Sequence, residues 1–276
     1  MPTIISVTLV ILVTILSAGT AAEAKGLRPN FLLIVADDLG YSDIGSYGSG
    51  ISTPALDQLA SEGVRFSNYH VLPTCSPTRS ALLSGNDNHV AGMGVMSEFI
   101  YPAIEHLPGY VGYLSDRVAT IPEILRSAGY HTYMAGKWHL GKDNTQSPFK
   151  RGFEETFTMM NGGGSHWADM RALSPTEEMI YRKNGALISQ LPEGFYSTKD
   201  CTESLIGFIN RNKDDGKPFF AYLSYTAPHD PLHAPPEYIA KYKGRFDSGW
   251  DALRLKRLEN LKKLELIPKH VNELPS

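Results

Sequence analysis

The sequence predicts an α/β protein with a largely parallel, mixed β-sheet and helices on both of its faces. Two observations predict this fold. Apolar runs of strand length alternate along the chain with helix-like segments. A chain of 276 residues with 42% hydrophobic content is also long enough for one large domain with a substantial core. The formal net charge of −3 gives no electrostatic reason to expect nucleic-acid binding.

The first half of the chain supplies strands and helices in turn. Phe31–Ala36 is apolar throughout, which predicts a strand that is covered on both faces of the sheet. Pro54 begins a helix that ends before Gly63, and residues 64–71 are strand-like. The sequence TIPE at 120–123 is a capping box, and it predicts the start of a further helix.

The second half continues the alternation. His131–Ala135 and residues 218–225 predict two strands, which are separated by a predicted helix over residues 198–212. Cys201 lies on the apolar face of that helix, so we expect a core residue rather than a disulfide. Residues 251–264 are rich in Leu, Lys, Arg and Glu, which predicts an amphipathic helix.

Residues 1–24 are typical of a secretory signal peptide. Residues 4–16 are apolar apart from Ser and Thr, and the sequence AEA at 22–24 matches a small-residue cleavage site. The apolar stretch is too short for a stable membrane span. Because the first three residues contain no Lys or Arg, an uncleaved anchor is the alternative. We therefore expect an exported protein in a periplasmic, secreted or lysosome-like compartment.

The sequence CSPTR at 75–79 carries the most chemical information in the chain. Ser76 suits a helix N-cap, and Gly85 is suited to end the same helix. Cys75 would then lie just before a helix N-terminus, where free N–H groups and the helix dipole favour an anion. Arg79, one turn further on, would direct its guanidinium toward that anion.

Two adjacent carboxylates follow the first predicted strand. In open α/β sheets, ligands bind beyond the carboxyl ends of the strands, which is where Asp37 and Asp38 lie. Neighbouring carboxylates repel each other unless a cation or solvent separates them. A hard divalent cation prefers oxygen ligands of this kind. The pair therefore predicts a metal site.

Two later segments place basic side chains after strands. The sequence GKWHLG at 136–141 puts Lys137 and His139 two residues apart, so in an extended segment they point the same way. A lysine can hold an anionic oxygen, and a histidine can transfer a proton near neutral pH. The sequence APH at 227–229 follows the last predicted strand, and the prolines around His229 fix a loop there.

These four segments, in this order, resemble the signatures of the sulfatase family. The sequences VADDLGYSD at 35–43 and TPALD at 53–57 fit its arylsulfatase branch, and the resemblance covers about residues 29–245. It implies an alkaline-phosphatase-like fold and hydrolysis of sulfate monoesters, with a small-molecule or carbohydrate sulfate ester as the substrate. It also implies that a formylglycine-generating enzyme converts Cys75 to Cα-formylglycine, whose hydrate carries the attacking hydroxyl.

The resemblance assigns a metal site as well. Asp37, Asp38 and the converted Cys75 would bind a divalent cation, with Ca²⁺ as the first candidate and Mg²⁺ as the second.

It also assigns catalytic roles. Lys137 would bind sulfate oxygens, and Arg79 would help to orient the hydroxyls on Cys75. His229 would act as the general acid for the leaving alcohol, and His139 would take a proton when sulfate is expelled.

Sulfatases of this type run longer and supply further parts of the site. A second pair of metal ligands, a second active-site lysine and a smaller C-terminal subdomain are not recognisable here. We therefore expect residues 25–276 to be an incomplete N-terminal catalytic domain, with little or no arylsulfatase activity on its own. Two alternatives stay open: a phosphonate or phosphodiester hydrolase of the same superfamily, and an inactive fragment that only binds a metal ion or an anion.

Overall fold

The computed structural model describes residues 28–272, with a six-stranded sheet at their centre. In chain order the strands are β1 (Phe31–Asp37), β2 (His131–Lys137), β3 (Glu155–Met159), β4 (Tyr181–Lys183), β5 (Ala186–Ile188) and β6 (Phe219–Pro228). Their order across the sheet is β1-β6-β2-β3-β4-β5. The first four in this order are parallel neighbours, and β4 and β5 add an antiparallel hairpin. The predicted largely parallel, mixed sheet is confirmed.

Six α-helices are present in the same part of the chain. They are α1 (Pro54–Glu62), α2 (Cys75–Ser84), α3 (Ile121–Ser127), α4 (Ser197–Asn212), α5 (Pro236–Ala240) and α6 (Gly249–Lys263). Short 3-10 turns lie at Gly45–Tyr47, Ser97–Phe99, Asn144–Gln146 and Pro148–Lys150. None of the helices described in residues 28–272 is long and apolar enough to cross a membrane. The predicted signal peptide, residues 1–24, lies outside the described residues.

The core lies on both faces of the sheet. On one face, α4 packs Cys201, Leu205 and Phe208 against the sheet, and each is at most 3% exposed. Each such side chain contributes about 1.5–3 kcal/mol by leaving water. On the other face, Leu83 of α2 and Trp138 belong to a second buried cluster. The predicted core position of Cys201 is confirmed, and both cysteines are free thiols.

Strand β1 is less buried than predicted. Leu33 and Val35 pack against the core, but Leu32 and Ile34 are 55% and 45% exposed. The expectation that this apolar run is covered on both faces is therefore wrong. The reason is its position: β1 is an edge strand beside β6, whereas α4 packs over β6, β2 and β3.

Residues 64–71 also differ from the prediction. The segment forms no strand, and Val64 and Phe66 are 81% and 66% exposed. Its residues have strand propensity, but none of the six described strands pairs with it. Conversely, the β4–β5 hairpin was not predicted, although Asn184 and Gly185 have the positive φ angles, 50° and 81°, of an Asn-Gly hairpin turn.

Most of the predicted helix boundaries are confirmed. Helix α1 begins at Pro54 and stops at Gly63. Helix α3 has the predicted capping box, because Thr120 and Glu123 each accept a hydrogen bond from the other's backbone N–H. Helices α4 and α6 occupy the predicted segments.

The start of α2 is one exception. The N-cap is Thr74 rather than the predicted Ser76, so Cys75 is the first residue inside the helix. The Ser76 hydroxyl is buried without a hydrogen-bond partner among the described residues. The end of α2 is as predicted, since Gly85 adopts a left-handed conformation with φ 66° and its N–H bonds to Ala81.

Candidate active site

Polar side chains meet at one edge of the sheet, where three parallel strands end. Strand β1 ends at Asp37 and β2 ends at Lys137. Strand β6 ends at Pro228, opposite Asp37, and is followed directly by His229. Cys75, at the start of α2, contributes a ligand atom that lies within 4.8 Å of those of Asp37 and His229. The three motifs after strands and the CSPTR segment therefore converge at the carboxyl ends of the strands.

Asp37 lies at the centre of a buried charge cluster. The Lys137 ammonium donates a hydrogen bond to one carboxylate oxygen, and Arg79 Nη2 lies 3.3 Å from the other. Lys137 is 0% exposed and Arg79 is 2% exposed. Burial acts to raise the pKa of Asp37, but the positive charges of Arg79 and Lys137 outweigh it and hold that pKa below its ordinary value. Asp37 is therefore an anion between two cations.

Arg79 is fixed by neutral groups as well as by Asp37. Its Nη1 donates to the backbone carbonyl of Lys137 at 3.1 Å, to the Tyr222 hydroxyl at 3.2 Å and to the Ser224 hydroxyl. Ser224 in turn donates to the Lys137 carbonyl at 2.8 Å. The anion that Arg79 contacts in this structure is thus Asp37, and the guanidinium ties α2 to the ends of β2 and β6.

Cys75 and Asp38 lie at the more open side of the cluster. The Cys75 thiol is half-buried, and its sulfur is 3.5 Å from the Met96 sulfur. Asp38 has a positive φ of 61°, and its side chain is 64% exposed. One Asp38 oxygen is 3.7 Å from Nε2 of His229. Of the predicted metal ligands, Asp37 and Cys75 come together with His229, and Asp38 lies beside that group.

His229 is held by its own loop. Its Nδ1 donates to the backbone carbonyl of Asp230 at 2.7 Å, which leaves Nε2 directed toward Asp38. A side-chain carbon at Gly163 would lie 3.0 Å from the His229 ring, so the glycine allows this close approach. His229 was predicted as a site residue, but the APH segment carries no signal for the direction of its ring.

His139 does not follow the predicted extended geometry. Its φ is 56°, so the segment bends after Lys137 and the two side chains have different partners. Lys137 contacts Asp37, whereas His139 Nε2 lies 3.2 and 3.3 Å from the two carboxylate oxygens of Glu98. The expectation that the two side chains share an extended segment is wrong, and the left-handed residue that breaks it was not recognisable from the pattern.

Glu98 and Met96 were missed by the sequence analysis. Both belong to the segment around the Ser97–Phe99 turn, which has neither an apolar period nor a motif. The structure brings this segment against Cys75 through Met96 and against His139 through Glu98.

Comparison with known proteins agrees with this geometry. The family model described as Sulfatase matches residues 29–274. The chain therefore belongs to the sulfatase family, and it has the alkaline-phosphatase-like fold of that family. Members of the family generally use a metal ion and a formylglycine.

Individual relatives cover nearly all of this chain. It is 47% identical over 262 residues to an uncharacterized sulfatase of Schizosaccharomyces pombe, covering 92% of this chain and 47% of that protein. It is 42% identical over 257 residues to an arylsulfatase of Klebsiella aerogenes, covering 92% of this chain and 54% of that enzyme. The crystal structure of Ps i-CgsB is similar with a TM-score of 0.67 and 30% identity, over 87% of this chain and 56% of that one. The chain thus spans about half the length of these relatives.

Proposed function

We propose that this chain carries the active site of an arylsulfatase-type sulfuric ester hydrolase, which acts on small-molecule or carbohydrate sulfate monoesters. The observation that supports this most strongly is the convergence of Cys75, Lys137 and His229 on a buried Asp37–Arg79 pair at the strand ends. A tetrahedral anion requires positive charge and hydrogen-bond donors in a confined site, and this cluster supplies both.

Cys75 is the proposed precursor of the nucleophile. A formylglycine-generating enzyme would oxidise it to Cα-formylglycine, and the hydrate of that aldehyde supplies the hydroxyl that attacks sulfur. The intact CSPTR segment and the half-buried position of the thiol at the start of α2 support this proposal. Helix N–H groups in the first turn favour negative charge on an oxygen at this position.

Lys137 and the two histidines would act on the ester, and Arg79 would hold the site in place. Lys137 binds sulfate oxygens with its ammonium, and Arg79 keeps the Asp37 carboxylate and the strand ends in place. The Nδ1–H of His229 donates to the Asp230 carbonyl, so Nε2 is the nitrogen that, when it carries a proton, would donate it to the leaving oxygen. When sulfate leaves, His139, on the Glu98 side of the site, would accept the proton of the remaining hydroxyl on residue 75, and the C–O bond to sulfate would break to regenerate the aldehyde.

A divalent cation fits the donor set once Cys75 is converted. Asp37, Asp38 and the oxygen on residue 75 would hold the ion, with Ca²⁺ as the first candidate and Mg²⁺ as the second. The ion would stabilise negative charge on the attacking oxygen. Unconverted Cys75 offers sulfur instead, which is a poor ligand for a hard cation. Because Asp37 already pairs with Arg79 and Lys137, we expect weak affinity.

We also propose that the protein is exported. The signal-peptide pattern at 1–24 supports export to a periplasmic, secreted or lysosome-like location.

Kinetics on matched esters test the proposed function. The 276-residue chain is co-produced with a formylglycine-generating enzyme, and conversion of Cys75 is verified by peptide mass. We expect slow hydrolysis of 4-nitrophenyl sulfate that exceeds hydrolysis of 4-nitrophenyl phosphate and phenylphosphonate esters. Cys75→Ala provides the blank, and Lys137→Ala should lower the rate strongly. A converted protein that is no faster than the blank, or that prefers the phosphorus esters, would refute the proposal.

A further inference from the structure

The Ser97–Phe99 turn contacts the candidate site at two points. On one side, Met96 lies against the Cys75 sulfur at 3.5 Å. On the other, both carboxylate oxygens of Glu98 lie 3.2–3.3 Å from Nε2 of His139. A single short segment therefore lies against the nucleophile precursor and one of the two histidines. Neither Met96 nor Glu98 has a role in the function proposed above.

Glu98 is an anion that is held in place. Lys142 lies 3.6 Å from it and also bonds to Glu177 at 3.0 Å. Burial acts to raise the pKa of Glu98, but the hydrogen bond and the charge of His139, with Lys142, bring that pKa down to about 2. The carboxylate is therefore ionised at any pH at which an enzyme of this type would be assayed.

The His139 ring has little freedom. The residue is 4% exposed, and a side-chain carbon at Gly162 would lie 2.6 Å from the ring. Its Nδ1 is buried and has no hydrogen-bond partner among residues 28–272. Burying a ring nitrogen without a hydrogen-bond partner costs free energy, unless a ligand or a reacting group forms a hydrogen bond with it.

The hydrogen bond to Glu98 decides which nitrogen of His139 carries the proton. A carboxylate only accepts, so Nε2 carries the hydrogen and Nδ1 keeps a free lone pair. The charged groups that face His139 are Glu98, Lys137 and Arg79. Burial lowers the pKa of His139, and Lys137 and Arg79 lower it further, whereas Glu98 acts to raise it.

We infer that Glu98 is the positioning residue for His139, fixing the tautomer in which Nδ1 accepts a proton and stabilising the imidazolium that results. The inference rests on the proposed function, because that function supplies the hydroxyl proton that Nδ1 would accept. It adds Glu98 to the residues of that site. Lys142, which also bonds to Glu177, lies beside the Glu98 carboxylate and supports it.

The first test measures the pKa of His139 and needs no turnover. NMR of the imidazole signals is recorded against pH on the unconverted chain, and His139→Asn identifies the signal among the nine histidines. In Glu98→Gln we expect the pKa of His139 to fall by about one unit or more, because an opposing charge is removed while burial and two cations remain. Glu177→Gln is the matched control, since it removes a charge from Lys142 and leaves the Glu98–His139 contact intact.

The second test uses the converted protein. Glu98→Gln should reduce kcat at least about tenfold, with KM changed less than about twofold, and move the acid limb of the pH profile down with the pKa of His139. Glu98→Asp should recover part of kcat. An unchanged pKa of His139 in Glu98→Gln, or an acid limb that does not move, would overturn the inference.

The two tests separate this inference from the proposed function. If the pKa of His139 shifts in Glu98→Gln but the converted protein has no sulfatase activity, the positioning role of Glu98 stands and the proposed function is rejected. An unshifted pKa in an active protein would reject the positioning role and keep the function.

Discussion

Replacing Asp37 with Asn removes the anion between two buried cations. Lys137 and Arg79 are 0% and 2% exposed, and both contact the Asp37 carboxylate. Removing one partner of a buried charge cluster leaves the others uncompensated, which costs about 3–5 kcal/mol. We therefore expect Asp37→Asn to lower the free energy of unfolding by that amount, even though the side chain keeps its size.

Urea unfolding at neutral pH, followed by circular dichroism, measures this change. Asp116→Asn is a matched control, because Asp116 also faces an arginine, Arg151 at 3.7 Å, but its side chain is 95% exposed. The control should change the free energy of unfolding by less than about 0.5 kcal/mol.

The pH dependence gives an independent check on the same residue. The native pKa of Asp37 lies below its ordinary value, so its contribution to stability is present above a pH of about 4 and is lost as pH falls through the native pKa. The difference between parent and Asp37→Asn should therefore shrink in acid. A loss below about 1 kcal/mol at neutral pH, or a difference that grows in acid, would refute the account of a buried anion that is stabilised by Arg79 and Lys137.

Two further predictions concern the strand end and the metal site. Gly136→Ala should destabilise the protein by more than about 2 kcal/mol, because its φ is 109° and the new carbon would lie 1.9 Å from the Ser224 carbonyl oxygen. Gly207 is the control, since it lies in a helix with space around it. Gly207→Ala should stabilise the protein by about 0.5–1 kcal/mol in the same urea assay. In calorimetry with Ca²⁺ on the converted protein, Asp38→Ala should weaken binding at least about tenfold while Asp87→Ala leaves it unchanged, and equal affinities would exclude Asp38 as a ligand.

Much of the fold was predictable because local signals agree with the tertiary structure. The Thr120–Glu123 capping box, the Pro54 start and the Gly85 stop act within one turn of chain, so sequence alone locates them. Strand β2 is also recognisable, since both of its faces are buried and its residues are suited to a covered strand.

Features that depend on neighbours were not predictable. The apolar run of β1 predicts a strand that is buried on both faces. Its burial depends on which elements lie beside it, and in the structure one face is exposed. Residues 64–71 have strand propensity without a strand to pair with.

The candidate active site shows the same difference between features set by local signals and features that depend on distant neighbours. The structure brings Asp37, Lys137 and His229, which follow strands in the sequence, close to one another, because parallel strands end at a common edge. Glu98 was not foreseen, since its contact with His139 joins residues 41 positions apart and depends on a left-handed backbone conformation.

Peptide mass spectrometry of residue 75 is the measurement that tests the central claim most directly. The claim is that the site at the strand ends is built around a cysteine that becomes the nucleophile. After co-production with a formylglycine-generating enzyme, the tryptic peptide that contains Cys75 should have lost the thiol and gained an aldehyde or its hydrate. Unmodified Cys75, in a host in which a control sulfatase is converted, would contradict the account.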